Sequence, residues 1–463
     1  MTSGAIPRQT GRRLSRAACD GRAKAPVRIV HLGLGNFARA HQASYTDRAP
    51  DANEWGIAAF TGRKADLAEA MAPQDGLFTM VTKTVDGDQF DVVSSISEVH
   101  SADEHEAWLG YFASTDLSII TLTVTEAGYV LGSGGDLDAD NDKVVADVAA
   151  LLDDPIAVVR TAPGRLVAGF LARRASGGGA ITVVPCDNLP ENGAVVSRVV
   201  GQMAELVDPS LAGWIALNVS WVTTVVDRIT PEATDQDRVD VLAATGVDDP
   251  ATVVTEPFAE WVLTGSFPTG RPAWDRAGAR IVEDVVPFEE RKLWLLNGAH
   301  SLLAYAASIR GHQTVAEAIA DPVALGWVEE WWDEASRHLR LPAEELTLYR
   351  AALLERFANP HIRHLLAQIA ADGSQKISVR ILPTLKRERA AGRSARGAAR
   401  VVAAWTCHLR GAGAVVTDVR ADELAPLGAG SLEESVTKVL TFLGIDDRVL
   451  GETVLAQARE LTT

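Results

Sequence analysis

The fold of this chain is indicated first by one stretch near the N-terminus, Val27-Arg-Ile-Val-His-Leu-Gly33-Leu-Gly35-Asn-Phe-Ala38. Its first residues are typical of a buried strand, and the rest has the G-x-G-x-x-A spacing of a dinucleotide-binding turn. Gly33 would permit the tight turn, Gly35 would let a pyrophosphate approach the backbone, and Ala38 would let the next helix pack closely. The N-terminus of that helix would offer free N–H donors to phosphates.

Short apolar runs separated by helical patterns continue beyond this stretch. Strands are predicted at 55–61, 117–124 and 180–185, with helices at 39–45 and 66–71, a pattern that favours a parallel sheet covered on both faces. After about residue 285 helices dominate, and they are predicted at 287–308, 315–319, 323–339, 343–357, 361–370, 397–409 and 432–442. The sequence therefore predicts an α/β fold with a Rossmann-type N-terminal domain at 27–284 and a mostly α-helical C-terminal domain at 285–463. Residues 1–26 are predicted to be a mobile basic arm, with a partner-binding or nucleic-acid-binding tail as the alternative.

Composition narrows the function classes. Among 463 residues there are 44 Lys and Arg against 61 Asp and Glu, which gives a net charge of −17 and argues against non-specific nucleic-acid binding. No apolar run approaches the roughly 18 residues of a membrane span. Three scattered cysteines, Cys19, Cys186 and Cys407, exclude a disulfide scaffold and a cysteine-rich zinc site. We expect a cytoplasmic protein whose partner is a small-molecule substrate, with no nucleic acid and no membrane. The basic stretch 386–400 is expected to be a solvated linker or helix face.

The end of the second predicted strand bears on the choice of cofactor. An acid at this point would bind the ribose hydroxyls of NAD, but the sequence has Thr61-Gly-Arg63-Lys64, and the nearest acid is Asp66. NAD is the predicted cofactor, and NADP stays open because basic residues there could accommodate a 2′-phosphate. The predicted cofactor-binding residues are Gly33, Leu34, Gly35, Asn36, Phe37, Ala38, Thr61 and Arg63.

A nicotinamide-dependent dehydrogenase also needs a group that exchanges the hydroxyl proton. None of the five tyrosines has a lysine four residues later, and the cysteines cannot build a catalytic zinc site. The candidate is the segment 287–300, in which Lys292, Asn297 and His300 would share an arc of about 140° on one α-helix. A lysine with a lowered pKa could act as base, Asn297 could stabilise a developing alkoxide, and His300 could orient the substrate. A purely structural helix is the alternative.

Several longer motifs occur in one order along the chain. They are 31–42, 122–129, 186–193, 226–231, 256–258, 270–274, the Lys-x4-Asn-x2-His pattern at 292–300, and 372–376. With these motifs the sequence resembles the polyol-specific long-chain dehydrogenases, the mannitol dehydrogenase family. The resemblance implies a metal-independent, NAD(P)-dependent oxidoreductase that interconverts a secondary alcohol of an acyclic polyol or sugar acid and the 2-keto sugar, of the mannonate/fructuronate or mannitol/fructose type.

The resemblance also assigns roles to residues. Lys292 matches the general acid/base, Asn188 and Asn297 match the amides of an oxyanion hole, and His300 matches a substrate-orienting residue. Asp227 and Lys376 match substrate-binding positions, and Glu126 matches an acid that exchanges protons with solvent. No metal ligand is implied.

The substrate branch is left open by the sequence. Gln368, Arg380 and the pair Arg363-His364 look like the hexuronate branch, and Arg380 could bind a carboxylate, so Gln368 and Arg380 join the predicted substrate site. The motif 186–193, however, looks equally like the mannitol enzymes. Two other function classes remain as alternatives: a catalytically silent NAD-binding regulator and an epimerase that retains NAD.

Overall fold

The computed structural model describes residues 11–462, and the chain divides into two compact units, Met1–Val285 and Val286–Thr463. The strands of the first unit are β1 (Val27–Leu32), β2 (Gly56–Phe60), β3 (Phe78–Thr84), β4 (Gly87–Val93), β5 (Ile96–His100), β6 (Ile119–Leu122), β7 (Ile181–Pro185), β8 (Val219–Trp221), β9 (Thr223–Asp227), β10 (Val253–Thr255), β11 (Glu260–Thr264) and β12 (Arg280–Ile281). Six of them form a parallel sheet in the order β5-β2-β1-β6-β7-β8. The predicted Rossmann-type sheet is therefore confirmed. Two three-stranded sheets, β10-β3-β4 and β12-β11-β9, were not predicted.

Helices cover the parallel sheet. The α-helices of the first unit are Asn36–Ala38, Ser44–Arg48, Asp66–Met71, His105–Ala113, Asp142–Asp153, Ala162–Ala175, Asn192–Val207, Pro209–Asn218 and Asp235–Thr245; a π-helical turn spans Arg39–Ala43, and 3-10 turns span Arg16–Ala18, Ala52–Glu54, Ala72–Gln74, Glu126–Tyr129 and Trp274–Ala277. Alternate residues of β1 enter opposite cores: Val30 packs with Trp108 and Phe170, whereas Ile29 belongs to the cluster with Trp261 and Trp274. Burial on both faces explains why β1 is almost continuously apolar.

The described part of the predicted mobile arm, residues 11–26, makes specific contacts with the rest of the first unit. Leu14 is buried against Leu77 and Val247. Arg16 Nη2 donates to the carbonyls of Ser94 and Ile96 at 2.9 and 2.8 Å. The sequence suggested mobility because the segment is basic, but carbonyl and carboxylate groups of the first unit accept hydrogen bonds from Arg16, Arg22 and Lys24. Residues 1–10 lie outside the described residues.

The second unit is helical, as predicted. Its α-helices are Val286–Arg291, Gly298–Leu302, Val315–Ala320, Pro322–Ser336, Ala343–Ala358, Leu366–Ala370, Gly373–Arg380, Leu382–Ala390, Arg396–Leu409, Ala421–Leu424, Leu432–Phe442 and Arg448–Thr462; π-helical turns span Lys292–Asn297 and Leu303–Ala307, and a 3-10 turn spans Ala425–Leu427. The helix predicted at 361–370 begins only at Leu366. The reason is that the preceding loop pairs with residues 313–315: Val315 N–H donates to the carbonyl of His364, and Leu366 N–H donates to that of Gln313, at 3.0 and 2.9 Å.

The helix predicted at 287–308 is interrupted twice by π-helical turns. A π turn shifts the backbone hydrogen bonds from i→i+4 to i→i+5 and often marks a functional site. Two neighbouring tryptophans support the first turn, because Trp331 Nε1 donates to the carbonyl of Trp294 at 2.9 Å and Trp332 Nε1 to that of Leu295 at 2.8 Å. The residue after the turn is a glycine, Gly298, because a Cβ at this position would lie only 2.7 Å from the Trp331 ring.

The basic stretch 386–400 forms ion pairs on helices. Arg389 pairs with Asp447 at 2.7 Å, and both Arg396 and Arg400 reach Glu330 at 3.2 Å. None of the helices between residues 11 and 462 combines the length and the hydropathy that crossing a membrane requires.

Candidate active site

The glycines of the turn after β1 differ in their surroundings. Gly33 has a φ of 105°, and a Cβ there would lie 2.3 Å from the carbonyl oxygen of Thr123. The nearest atom to a Cβ on Gly35 would be the carbonyl oxygen of Gly33 at 3.7 Å. No side chain caps the helix that begins at Asn36. Gly33 is therefore needed for the turn itself, whereas Gly35 leaves backbone N–H groups open to a phosphate.

A buried histidine fixes this turn. His31 lies on β1, with Nδ1 2.8 Å from Thr121 Oγ1 and Nε2 3.1 Å from Thr123 Oγ1. Thr123 Oγ1 in turn donates to the carbonyl of Gly33 at 2.8 Å. Burial lowers the pKa of His31 to about 4, so the ring is neutral at pH 7. The histidine joins β1 to the loop after β6.

A cavity of about 580 Å³ opens beside the turn, at the carboxyl ends of β1 and β6. Its lining includes Gly33, Leu34 and Arg63 of the predicted cofactor-binding residues. A neighbouring cavity of about 600 Å³ is lined by Leu34, Thr61 and Arg63. Parallel sheets bind nucleotides at this edge, so the cavities are the candidate cofactor site.

The remaining predicted cofactor residues serve mainly the helix after the turn. Asn36 Oδ1 accepts from Arg39 at 2.7 Å, the ring of Phe37 stacks on His41 at 4.8 Å, and Ala38 is buried. Sequence reasoning missed the cavity-lining residues Lys143, Arg160, Thr161 and Arg165 and, in the segment 123–128, every lining residue around the predicted Glu126. The segment belongs to a quoted motif and follows a predicted strand, which is a usable signal. The basic residues come from two distant helices and the loop between them, and no local signal marks them.

A buried carboxylate joins the loops after β6 and β7. Asp187 Oδ1 accepts from the N–H of Val124 at 2.6 Å, and Asp187 Oδ2 accepts from the hydroxyl of Tyr129. Burial raises the pKa of Asp187 to about 7, against the opposing effect of these two hydrogen bonds. Two predicted site residues lie on these loops, and both are exposed: Glu126 and Asn188.

The same frame extends to Asp227, the last residue of β9, which is buried. Asn192 Oδ1 accepts from the N–H of Thr224 at 2.9 Å, and its Nδ2 donates to the carbonyl of Asp187 at 3.1 Å. Three loops of the first unit that carry predicted site residues are therefore held by Asp187 and Asn192. Both lie inside the quoted motif 186–193, but the sequence alone did not distinguish them from Asn188.

Lys292 and Asn297 are the first and last residues of a π-helical turn in the second unit, and both are half-buried. The prediction placed them on a regular α-helix, and that geometry is wrong. An i→i+5 turn aligns residues five apart, so Lys292 and Asn297 share a face more closely than an α-helix would allow. His300 follows in the regular helix Gly298–Leu302.

A cavity of about 230 Å³ in the second unit brings together most of its predicted site residues. The lining is Asn297, His300, His364, Gln368, Ile369, Lys376 and Arg380. His300 is 8% exposed, its Nε2 has no hydrogen-bond partner among the described residues, and its ring centroid lies 4.8 Å from that of His364. Burial, with His364 and two nearby arginines, lowers the pKa of His300, which is therefore neutral at pH 7 and can exchange hydrogen bonds with a hydroxyl.

Two cations line this cavity. Lys376 Nζ donates to the carbonyls of Ile369 and Ala371 at 3.1 and 2.5 Å, and burial, together with Arg380, lowers its pKa. Arg380 Nη1 donates to the carbonyl of Asn297 at 3.3 Å and to Ser301 Oγ at 3.1 Å. Burial lowers the pKa of Arg380 to about 10, so it stays charged at pH 7. None of the described residues that line the cavity is acidic.

The side chains also bear on metal binding. Among residues 11–462 no group of three or more His, Cys, Asp or Glu side chains is arranged to hold a metal ion. The metal-independent activity implied by the resemblance stays a prediction.

Comparison with known families gives two adjacent matches. The model of the mannitol dehydrogenase Rossmann domain matches residues 27–276, and that of the mannitol dehydrogenase C-terminal domain matches residues 284–446. Together they span most of the chain.

Individual proteins agree with these matches. The D-mannonate oxidoreductase of Escherichia coli (strain K12) is 38% identical over 394 residues, which cover 83% of this chain and 80% of that protein. The mannitol 2-dehydrogenase of Pyrenophora tritici-repentis is 36% identical over 396 residues, which cover 83% and 69%. Among solved structures, a ternary complex of Pseudomonas fluorescens mannitol 2-dehydrogenase with NAD and D-mannitol is similar with a TM-score of 0.77 and 33% identity, covering 95% of this chain and 91% of that one.

Proposed function

The chain belongs to the mannitol dehydrogenase family of oxidoreductases, and from this premise we propose that it interconverts a secondary alcohol of an acyclic sugar acid and the corresponding keto compound with a nicotinamide dinucleotide. The general acid/base in this proposal is Lys292. The supporting observation is the charge of the cavity in the second unit: Lys376 and Arg380 line it, and none of the described lining residues is acidic.

The cations favour an anionic substrate. Two of the three N–H donors of Lys376 are engaged by carbonyls, which holds the ammonium group in place and leaves one donor for a ligand. Nη1 of Arg380 donates to the carbonyl of Asn297. The guanidinium has further N–H donors in a fixed planar arrangement, and these can bind a ligand. A carboxylate suits both groups, because charge-assisted hydrogen bonds are stronger than neutral ones. A neutral polyol would give neither cation a negatively charged partner inside the cavity.

The proposed chemistry assigns one task to each group. A bound nicotinamide supplies the hydride acceptor for oxidation. Lys292, in its neutral form, takes the hydroxyl proton on Nζ while the carbon loses hydride. The amides of Asn188 and Asn297 donate to the oxygen as negative charge develops there, and neutral His300 orients the same hydroxyl group. Reduction uses the same residues in reverse, with protonated Lys292 as the acid.

The remaining predicted residues have supporting roles in this proposal. Asp227 and Gln368 contact hydroxyl groups of the substrate, and Glu126 exchanges the proton of Lys292 with solvent. The glycine turn and the segment 123–128 hold the dinucleotide.

A substrate panel tests the proposal. The initial rate of absorbance change at the band of the reduced nicotinamide is measured with mannonate, altronate, mannitol, arabinitol and sorbitol, each with NAD and with NADP. We expect kcat/KM for an aldonate to exceed that for the neutral polyols by on the order of tenfold or more. Lys376→Met should raise KM for the aldonate by on the order of tenfold. In the control Lys386→Met, at an exposed position, KM should stay at the wild-type value.

Other outcomes separate the alternatives. Preference for mannitol would overturn the sugar-acid assignment and favour the activity named for the Pyrenophora relative. Binding of the reduced cofactor without any turnover would favour a regulator. Cofactor that stays bound through gel filtration, with no net reduction, would favour an epimerase.

A further inference from the structure

We propose that the cavity beside the glycine turn is built for a dinucleotide that carries a phosphate on its adenosine ribose, so that the preferred cofactor is NADP(H). The inference rests on the proposed function only for the nicotinamide end of the ligand. The adenosine end is argued from the first unit by itself.

The charge of the cavity carries the first step. Its lining includes four cations: Arg63, Lys143, Arg160 and Arg165. None of the described residues that line it is acidic, although the chain as a whole has a net charge of −17. Such a local reversal of sign raises the concentration of an anionic ligand at the site. The backbone N–H groups at the turn Gly33–Gly35 can bind the pyrophosphate without these side chains. The four cations therefore suggest that the ligand carries further negative charge.

Arg165 supplies the second step. Its side chain is 4% exposed, and its guanidinium carbon lies 4.6 Å from the ring centroid of Trp108 and 5.6 Å from that of Phe60. Phe60 ends β2, the point after which adenosine ribose hydroxyls bind in this fold. Nη2 of Arg165 has no hydrogen-bond partner among the described residues. An unsatisfied N–H on a buried guanidinium costs free energy, and a phosphate oxygen is the ligand that it matches.

The loop after β2 gives the third step. Arg63 lines both cavities of the first unit, and Lys64 lines the second one. Thr61, where an acid would bind the 2′-hydroxyl of NAD, is instead buried, and its Oγ1 accepts from the N–H of Ala102 at 3.0 Å. Asp66 does line the second cavity, but two cations accompany it there. Arg63 and Arg165 are therefore placed at the end of β2 as the pair that recognises the 2′-phosphate.

Binding of half-cofactors tests this inference without any turnover. Isothermal titration of the full chain with 2′,5′-ADP and with 5′-ADP compares two ligands with the same number of phosphates. We expect 2′,5′-ADP to bind on the order of tenfold tighter. Equal affinities, or tighter binding of 5′-ADP, would overturn the proposal and assign the cations to the pyrophosphate.

Variants assign the preference to residues. Arg63→Ala and Arg165→Gln should each remove most of the preference for 2′,5′-ADP, whereas Arg198→Ala, an exposed arginine paired with Asp136, should leave it unchanged. If Arg165→Gln fails to fold because the stacking on Trp108 is lost, Arg63→Ala, at an exposed residue, still decides. A preference that survives Arg63→Ala would overturn the role of this pair. Because the readout is binding, inactivity on every alcohol would count against the proposed function and not against this site.

Discussion

The two candidate sites, the cofactor cavity of the first unit and the substrate cavity of the second, are built in different ways. The first depends on backbone: a glycine with positive φ, a helix N-terminus without a side-chain cap, and the carboxyl ends of two parallel strands. The second depends on side chains: Asn297 lies on a π-helical turn, His300 on the α-helix that follows it, and Lys376 and Arg380 on the α-helix Gly373–Arg380. A backbone site should fail when the chain cannot adopt its turn. A side-chain site should fail when one functional group is removed and the fold stays intact.

Lys292→Ala is the strongest way to break the side-chain site. Without the amine no group at that position exchanges the hydroxyl proton, and we expect kcat to fall by about 10²–10⁴-fold. The dissociation constant for the nicotinamide nucleotide should not change, because the nucleotide depends on the other site. Stopped-flow rates and nucleotide titration measure the two quantities. Lys386→Ala, at an exposed position, is the control. Turnover close to wild type in Lys292→Ala would remove this lysine from the proposed chemistry.

Gly33→Ala should break the backbone site, and Gly35→Ala is its matched partner. Alanine at 33 would have a φ of 105° and a Cβ 2.3 Å from the Thr123 carbonyl oxygen, so we expect unfolding free energy to drop by about 1–3 kcal/mol. Alanine at 35 meets no atom closer than 3.7 Å, so stability should be kept while nucleotide affinity falls, because the methyl group projects where a phosphate would approach. Urea unfolding and nucleotide titration separate the two effects. Equal losses of stability in both variants would contradict this distinction.

The sequence predicted the backbone site better than the side-chain site. The G-x-G-x-x-A spacing and the apolar runs that form β2, β6 and β7 are local signals, so the parallel sheet followed from them. The lysine segment was predicted on an α-helix, and its π turn was missed because that turn depends on the indole bonds from Trp331 and Trp332. Arg165 and Asp187 were missed for a similar reason: what makes each notable is burial, which tertiary packing alone creates.

The arm at 11–26 makes contacts that the sequence did not indicate. Its charge pattern is that of a solvated segment, and nothing local indicates that Arg16 finds two carbonyl partners about eighty residues away. Local composition predicts mobility only where no distant partner exists. The proposed sugar-acid preference depends on the same kind of information, since Lys376 and Arg380 line one cavity with residues of other helices only after the helix Gly373–Arg380 has packed.

Asp187 gives the smallest expected effect and sharpens the comparison, because it is a side chain that holds a backbone-built region together. Its pKa is raised to about 7 in the folded chain, against about 3.9 for an unfolded Asp. The folded chain therefore binds more protons between those values, and unfolding free energy should fall as pH rises from about 4 to about 7.

Asp187→Asn should lack this contribution, so its stability relative to wild type should improve as pH rises across the same window. The tyrosine hydroxyl donates to Asp187 and opposes the rise of its pKa. In Tyr129→Phe the pKa of Asp187 should therefore be higher, and the unfolding free energy should keep falling to a higher pH than in the wild type. Urea unfolding at a series of pH values measures both variants. Parallel curves for wild type and Asp187→Asn between pH 4 and 7 would mean that the carboxyl group does not titrate there. The carboxylate would then stay ionised across this range, and its hydrogen bonds from Val124 and Tyr129 would not depend on pH there.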